Sequence, residues 1–129
     1  ENLSNCVRIL GYRQDAVKIL KCVDFYISSS LSEGLPISLL EALASRIPTI
    51  ATEIVGNKDI LCNSVFGVLT KPDSSESLYK GIVKMVNLTN DELNIISKNS
   101  FNRIKNQFSI NEMAVKTTLL YNQALKKNA

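Results

Sequence analysis

Histidine is absent from all 129 residues, and so is tryptophan. Without histidine the chain lacks the commonest general base and metal ligand, which excludes Ser-His and Cys-His catalysis and most zinc sites. Cysteine is scarce. Cys6, Cys22 and Cys62 are odd in number, widely spaced and set among apolar neighbours. No pair has metal-ligand spacing, so the three read as buried free thiols of a reducing cytoplasm. No run is long and apolar enough to span a membrane and no signal peptide is visible, which makes a cytoplasmic protein the expectation. Arginine does not cluster, and a net charge of +3 is too mild to imply a nucleic-acid partner.

What is present is a 45% hydrophobic chain, enough for one domain with one core. Four compact apolar runs, "CVRIL" (6–10), "FYISSS" (25–30), "PTIAT" (48–52) and "FGVLT" (66–70), read as buried parallel strands. Helical patterns at 14–22 and 36–45 lie between them, and Pro36 suits a first helical turn. Alternation of this kind predicts an α/β fold, a Rossmann-like parallel sheet with flanking helices over residues 1–88. Residues 76–86 put Leu78, Ile82, Met85 and Val86 on one helical face. Residues 89–129 read as C-terminal helices begun by two capping boxes, "TNDE" (89–92) and "SINE" (109–112). The last helix carries a stripe of Ile110, Met113, Ala114, Thr117, Tyr121, Ala124 and Leu125. Packing on its own domain is the ordinary reading of that stripe; a docking face for an absent part of the protein is the other.

Chemistry concentrates in "LSEGLPISLLEAL", residues 31–43. If strand 25–30 leads through this loop into helix 36–45, the loop lies at the carboxyl end of a parallel strand, where open α/β sheets bind ligands. Backbone N–H groups near Gly34, Leu35 and Ile37 would point out of the helix start, whose positive dipole end favours phosphate. Gly34 lets a ligand approach the backbone. Glu33 can accept hydroxyl donors, and Glu41 can clamp a ribose diol with both oxygens, since an ionised acid only accepts. The modest alternative is that acids near a helix start simply stabilise its dipole. Spacing alone leaves both readings open.

The residues "EGLPISLLE" resemble the Glu-x7-Glu motif of retaining GT-B glycosyltransferases, the glycosyltransferase group 1 (family 4) type. The likeness runs through "VRILGYRQDAVKILKCVDFYISSSLSEGLPISLLEALASRIPTIATEIVGNKDIL", "FGVLTKPDSSESL" and "FSINEMAVKTTLLY", nearly the whole chain. The resemblance implies an enzyme of two Rossmann-like domains that moves a sugar from a nucleotide-sugar donor to a glycan or other acceptor. By the same resemblance Glu33 is the catalytic-site acid that contacts the donor sugar, and Glu41 holds the ribose. Amides of Gly34, Leu35 and Ile37, beside Pro36, hold sugar or pyrophosphate, while Gly11, Tyr12 and Arg13 lie by the base. It implies no metal and no cofactor, with a UDP- or GDP-linked sugar as substrate.

The resemblance further implies a partial C-terminal donor domain, without the family's acceptor domain and the donor domain's first two strands. A chain of that kind is expected to be inactive alone. Strand 25–30 would then present an edge, covered by strand 6–10 slipped inward or by a second copy of the chain. Peripheral membrane association of the full enzyme is a further partner the resemblance allows. Two departures stand out. Arg46 replaces a frequent glycine and asks for a turn outside the left-handed region, while Asp59 replaces a frequent glutamate and is expected to cap a short helix. Tyr12 and Tyr26 also read as core aromatics. The competing functions are a nucleotide-sugar epimerase, a glycan phosphorylase and a non-catalytic nucleotide-binding module. No G-x-G-x-x-G follows any strand, which disfavours a dinucleotide-binding dehydrogenase.

Overall fold

The computed structural model describes residues 3–127. In chain order the elements are α1 (Ala16–Leu20), β1 (Tyr26–Ser28), α2 (Ile37–Ala44), β2 (Thr49–Thr52) and α3 (Val55–Leu61). They are followed by β3 (Val68–Thr70), α4 (Ser75–Val86), α5 (Asn90–Gln107) and α6 (Ile110–Lys127). The three strands form one parallel sheet in the order β1-β2-β3, with Ile27 beside Ile50 and Ile50 beside Val68. Side-chain alternation puts those three on one face and Ser28, Ala51 and Leu69 on the other. α4 covers the first face through Met85, with Leu78, Ile82 and Leu93 packed around it. α2, α3 and α5 cover the second, where Leu39, Leu43, Ile60, Leu61 and Ile104 meet Ala51. Helices on both faces make this the expected Rossmann-like α/β architecture. They also explain why β2 is buried at every position instead of alternating.

The fourth expected strand does not form. Residues 6–10 join no ladder, and Ile9 is 95% exposed. Strands exist through pairing, and this run turns on itself instead, with the N–H groups of Cys6 and Val7 both donating to the Leu3 carbonyl. It has not slipped in beside β1, so the outer side of β1 stays a sheet edge among the described residues.

Several side chains also depart from expectation. Cys6, Cys22 and Cys62 are free but exposed, because the turns and short helix ends that carry them are not covered by the core. Tyr12 is 92% exposed and is no core aromatic, whereas Tyr26 does pack on the α2 side of the sheet. Val86 lies at the end of α4 and points away from the Met85 cluster, more than half exposed. Asp59 sits inside α3 and does not cap it. Pro36 stands one residue before α2, as its N-cap.

Arg46 adopts the left-handed conformation after all, at φ 62°. The reason lies in the helix end. Ile47 N–H donates to the Ala42 carbonyl and Arg46 N–H to Leu43, each at 3.0 Å, the pairing of a Schellman motif. Left-handed backbone at a residue with a Cβ costs ~1–2 kcal/mol. The two bonds, the burial of Ile47 and the guanidinium stacked 4.6 Å from the Phe101 ring offset that cost.

α5 begins as expected. Thr89 accepts from the Glu92 N–H, and the Glu92 carboxylate accepts in return from the Thr89 N–H at 2.8 Å. That reciprocal bond lowers the Glu92 pKa. A carboxyl lowered by folding stabilises above its unfolded value, about 4.3, and loses that contribution as pH falls through its folded value. Acid titration of unfolding should therefore show a loss of stability below about pH 4. In Glu92→Gln that component should disappear. Ser109 provides the forward half of the second box, accepting from the Glu112 N–H. The helix that follows corrects the ordinary reading of its stripe: Ile110, Met113, Tyr121 and Leu125 are all more than 60% exposed. α6 leaves the body of the domain after its first turns, and the described core does not reach its apolar side.

Candidate functional site

The loop of residues 29–36 leaves the carboxyl end of β1 and enters α2 at Pro36, whose side chain offers no cap to the first turn. The positive end of α2 therefore lacks a side-chain acceptor from its N-cap, as an anion-accepting helix start requires. α2 is oriented by its core side. Leu39, Ala42 and Leu43 are fully buried, which turns Ser38 and Glu41 to the opposite side of the helix.

On that side lies a cleft of about 290 Å³ with mainly apolar walls. Ile19, Leu20 and Val23 close it from α1 and the turn after it, while Gly11 and Arg13 lie at its mouth. Glu41 and Ser38 line the α2 wall, and the Tyr26 hydroxyl donates to Ser38 Oγ at 2.8 Å. Three of the residues singled out from sequence, Gly11, Arg13 and Glu41, thus share one cleft. Arg13 is already engaged there. Its guanidinium grips Asp15 through two hydrogen bonds of 2.8 Å, which holds the Asp15 carboxyl below the usual carboxylate range.

The remaining candidates lie elsewhere. Glu33 faces a second hollow of about 490 Å³ at the start of α3, which it shares with Glu53 and Lys58, themselves paired at 3.1 Å. Its carboxylate accepts from Ser30 Oγ at 2.9 Å. Gly34 is open to its surroundings, Ile37 is more than half exposed and Pro36 is buried. Leu35 turns toward α6 and lines a third groove with Met113 and Leu120. Tyr12 points out of the cleft into solvent. The two acids therefore lie in separate hollows, Glu33 beside the start of α3 and Glu41 on the α1 side of α2.

Ser38 was not singled out from sequence. Its signal is the i, i+3 relation to Glu41, which places both on one helix face. Lys58 and Asn57 were also missed, because "GNKD" carries no pattern that separates a site from a helix start.

A parallel sheet covered by helices on both faces, with the Glu33 loop leaving the carboxyl end of β1, defines an α/β domain of the doubly wound class. The family can be stated as well: the chain belongs to the glycosyl transferases group 1, whose family model matches residues 1–103. It is 36% identical over 121 residues to the UDP-Gal:alpha-D-GlcNAc-diphosphoundecaprenol alpha-1,3-galactosyltransferase of Escherichia coli, covering 93% of this chain and 30% of that protein. It is 26% identical over 123 residues to a Campylobacter jejuni N,N'-diacetylbacillosaminyl-diphospho-undecaprenol alpha-1,3-N-acetylgalactosaminyltransferase, covering 95% of this chain and 32% of that one. Among solved structures, a glycosyltransferase from Rickettsia africae superposes with a TM-score of 0.88 at 28% identity, over 96% of this chain and 33% of its own. An Anabaena protein crystallised with UDP shares the fold, with a TM-score of 0.81 at 24% identity over 92% of this chain and 33% of its own. The chain thus spans about a third of the length of these relatives.

Proposed function

We propose that this chain forms part of the donor side of a retaining glycosyltransferase, which moves a sugar from a nucleotide-sugar to a glycan or other acceptor without a metal ion or cofactor. The observation that carries the reading is the Glu41 wall: a carboxylate and two hydroxyls, Ser38 and Tyr26, set into a mainly apolar cleft beside an open helix start. Apolar walls take a base, a carboxylate takes a ribose diol, and the N-terminus of α2 takes a diphosphate. At about 290 Å³ the cleft suits a nucleoside better than a whole nucleotide-sugar. The sugar then extends past the helix start to Glu33 and the second hollow. Gly11 and Arg13 border the base end; Gly34, Leu35 and Ile37 offer amides between the two ends.

UDP is the favoured nucleotide, because a UDP-sugar is named for the Escherichia coli relative and UDP is bound in the Anabaena structure. GDP is the alternative. Acceptor binding is assigned to a further domain of the whole protein, with Glu33 as the catalytic-site acid on the donor side; the working compartment is the cytoplasm, with the acceptor reached at a membrane surface. Among the described residues no helix is long and apolar enough to cross a membrane.

The test is calorimetric titration of the full-length protein with UDP, GDP and ADP, followed by transfer assays with the matching nucleotide-sugars. Binding of one nucleotide together with sugar transfer is expected. Binding without transfer would favour a non-catalytic nucleotide-binding module instead. Absence of all three affinities would sink the donor-site reading.

A further inference from the structure

We infer that Gly56, Asn57 and Thr52, none of them in the Glu33–Glu41 stretch, position the Glu33–Gly34 loop. On this view the size of residue 56 governs how the sugar-diphosphate end of the donor is held. The inference rests on the donor-site reading above and extends it to residues at the end of β2 and the start of α3.

The first observation is a close approach of two backbones. A Cβ at position 56 would stand 2.8 Å from the Gly34 carbonyl oxygen, 3.1 Å from that of Glu33 and 3.1 Å from Cδ of Pro36. The obstacles are two main-chain oxygens and a proline ring, none of which can swing aside like the end of a flexible side chain. A methyl group here therefore moves the loop. Gly56 is helical and needs no positive φ, so the absent side chain, and not backbone freedom, is what the contact requires.

The second observation is a hydrogen-bonded path into the same loop. Asn57 Nδ2 donates to the Thr52 carbonyl at 2.8 Å, and Thr52 Oγ1 donates to the Ser30 carbonyl at 2.5 Å. Ser30 Oγ in turn donates to the Glu33 carboxylate. α3 and β2 are thereby tied to the chain leaving β1, and through it to the acid. Asn57 is fully buried, yet its Oδ1 has no partner among the described residues. A buried oxygen left unpaired offsets much of what the amide donor gains. Asn57 therefore contributes geometry more than stability. Path and contact both end on residues 30–36, none of which lines the cleft that holds Glu41.

The two ends of the donor should then respond differently. Gly56→Ala, Thr52→Val and Thr52→Ser are made in the full-length protein and titrated with UDP-galactose and GDP-mannose, beside UMP and GMP, which reach only the Glu41 end. Alanine is a better helix former than glycine, so weaker binding in Gly56→Ala cannot come from a poorer α3. Loss of at least about tenfold in nucleotide-sugar affinity is expected, the effect of misaligning one hydrogen bond to a charged group. The monophosphate should stay within about twofold of wild type, a change of less than half a kcal/mol. Thr52→Val should follow in the same direction by about threefold, and Thr52→Ser, which keeps the hydroxyl, should restore wild-type affinity. Equal losses for both ligands would mark a general structural role and overturn the inference, as would unchanged nucleotide-sugar affinity. If Gly56→Ala does not fold, the Thr52 pair decides by the same ratio. A wild-type protein that binds none of these ligands would overturn the donor-site reading, and this inference with it.

Discussion

Glu41→Ala should weaken nucleotide binding by ~1–3 kcal/mol, roughly 5- to 150-fold, the usual loss when hydrogen bonds to a charged group are unmade. The carboxylate lines the cleft half-buried and has no hydrogen-bond or ion-pair partner among the described residues. Its acceptor capacity is free for a ligand, and removing it leaves no protein donor stranded. Stability should thus change little while affinity falls, a separation that core substitutions cannot produce. Glu41→Gln keeps one acceptor oxygen and the shape but loses the charge and the second acceptor, so its affinity should lie between wild type and alanine. Calorimetry on the full-length protein, with chemical denaturation alongside, reads both quantities. Unchanged affinity in Glu41→Ala would remove this residue from the ribose role.

The largest effect on stability is expected at Leu43. It is fully buried among Leu39, Ala51, Ile60, Leu61 and Ile104, where α2, α3 and α5 meet the sheet. Truncation to alanine loses the transfer free energy of the side chain and leaves a cavity, together ~2–5 kcal/mol. Whole domains are held by only about 5–15 kcal/mol, so Leu43→Ala should shift the denaturation midpoint far or prevent folding. Ile9→Ala is the contrasting control. The side chain is 95% exposed, and its removal should change stability by no more than about 0.5 kcal/mol. Comparable effects at the two positions would contradict the described core.

Three of the four strands were legible as apolar runs because each has a partner to complete its backbone hydrogen bonds. The run at 6–10 carries the same signal and forms none, since composition reports a strand's side chains and never its neighbour. Capping at Thr89 is written in four adjacent residues and was readable in full. Arg46 was misjudged for the opposite reason: its left-handed turn is set by bonds to Ala42 and Leu43, and those depend on how the chain must re-enter the sheet. Within the candidate site, Glu33 and Glu41 were visible by their spacing around a helix start. Gly56 and Asn57 were not. Gly56 meets that loop more than twenty residues away, and Asn57 reaches it only through Thr52, whose hydroxyl bonds Ser30 across a similar span, which no local pattern contains.

α2 serves two surfaces at once. Its inward side carries Leu39, Ala42 and Leu43, and its outward side carries Ser38 and Glu41. Folding has therefore already removed the motional freedom of the backbone under Glu41. A ligand arriving at that carboxylate need fix only a side chain, so little of its binding enthalpy is consumed in ordering the protein. The loop around Glu33 is not helical, and its footing is Pro36 together with the contacts made by Thr52 and Gly56. Affinity at the nucleoside end should accordingly be the more robust to temperature, and discrimination between sugars the more readily altered by distant substitutions.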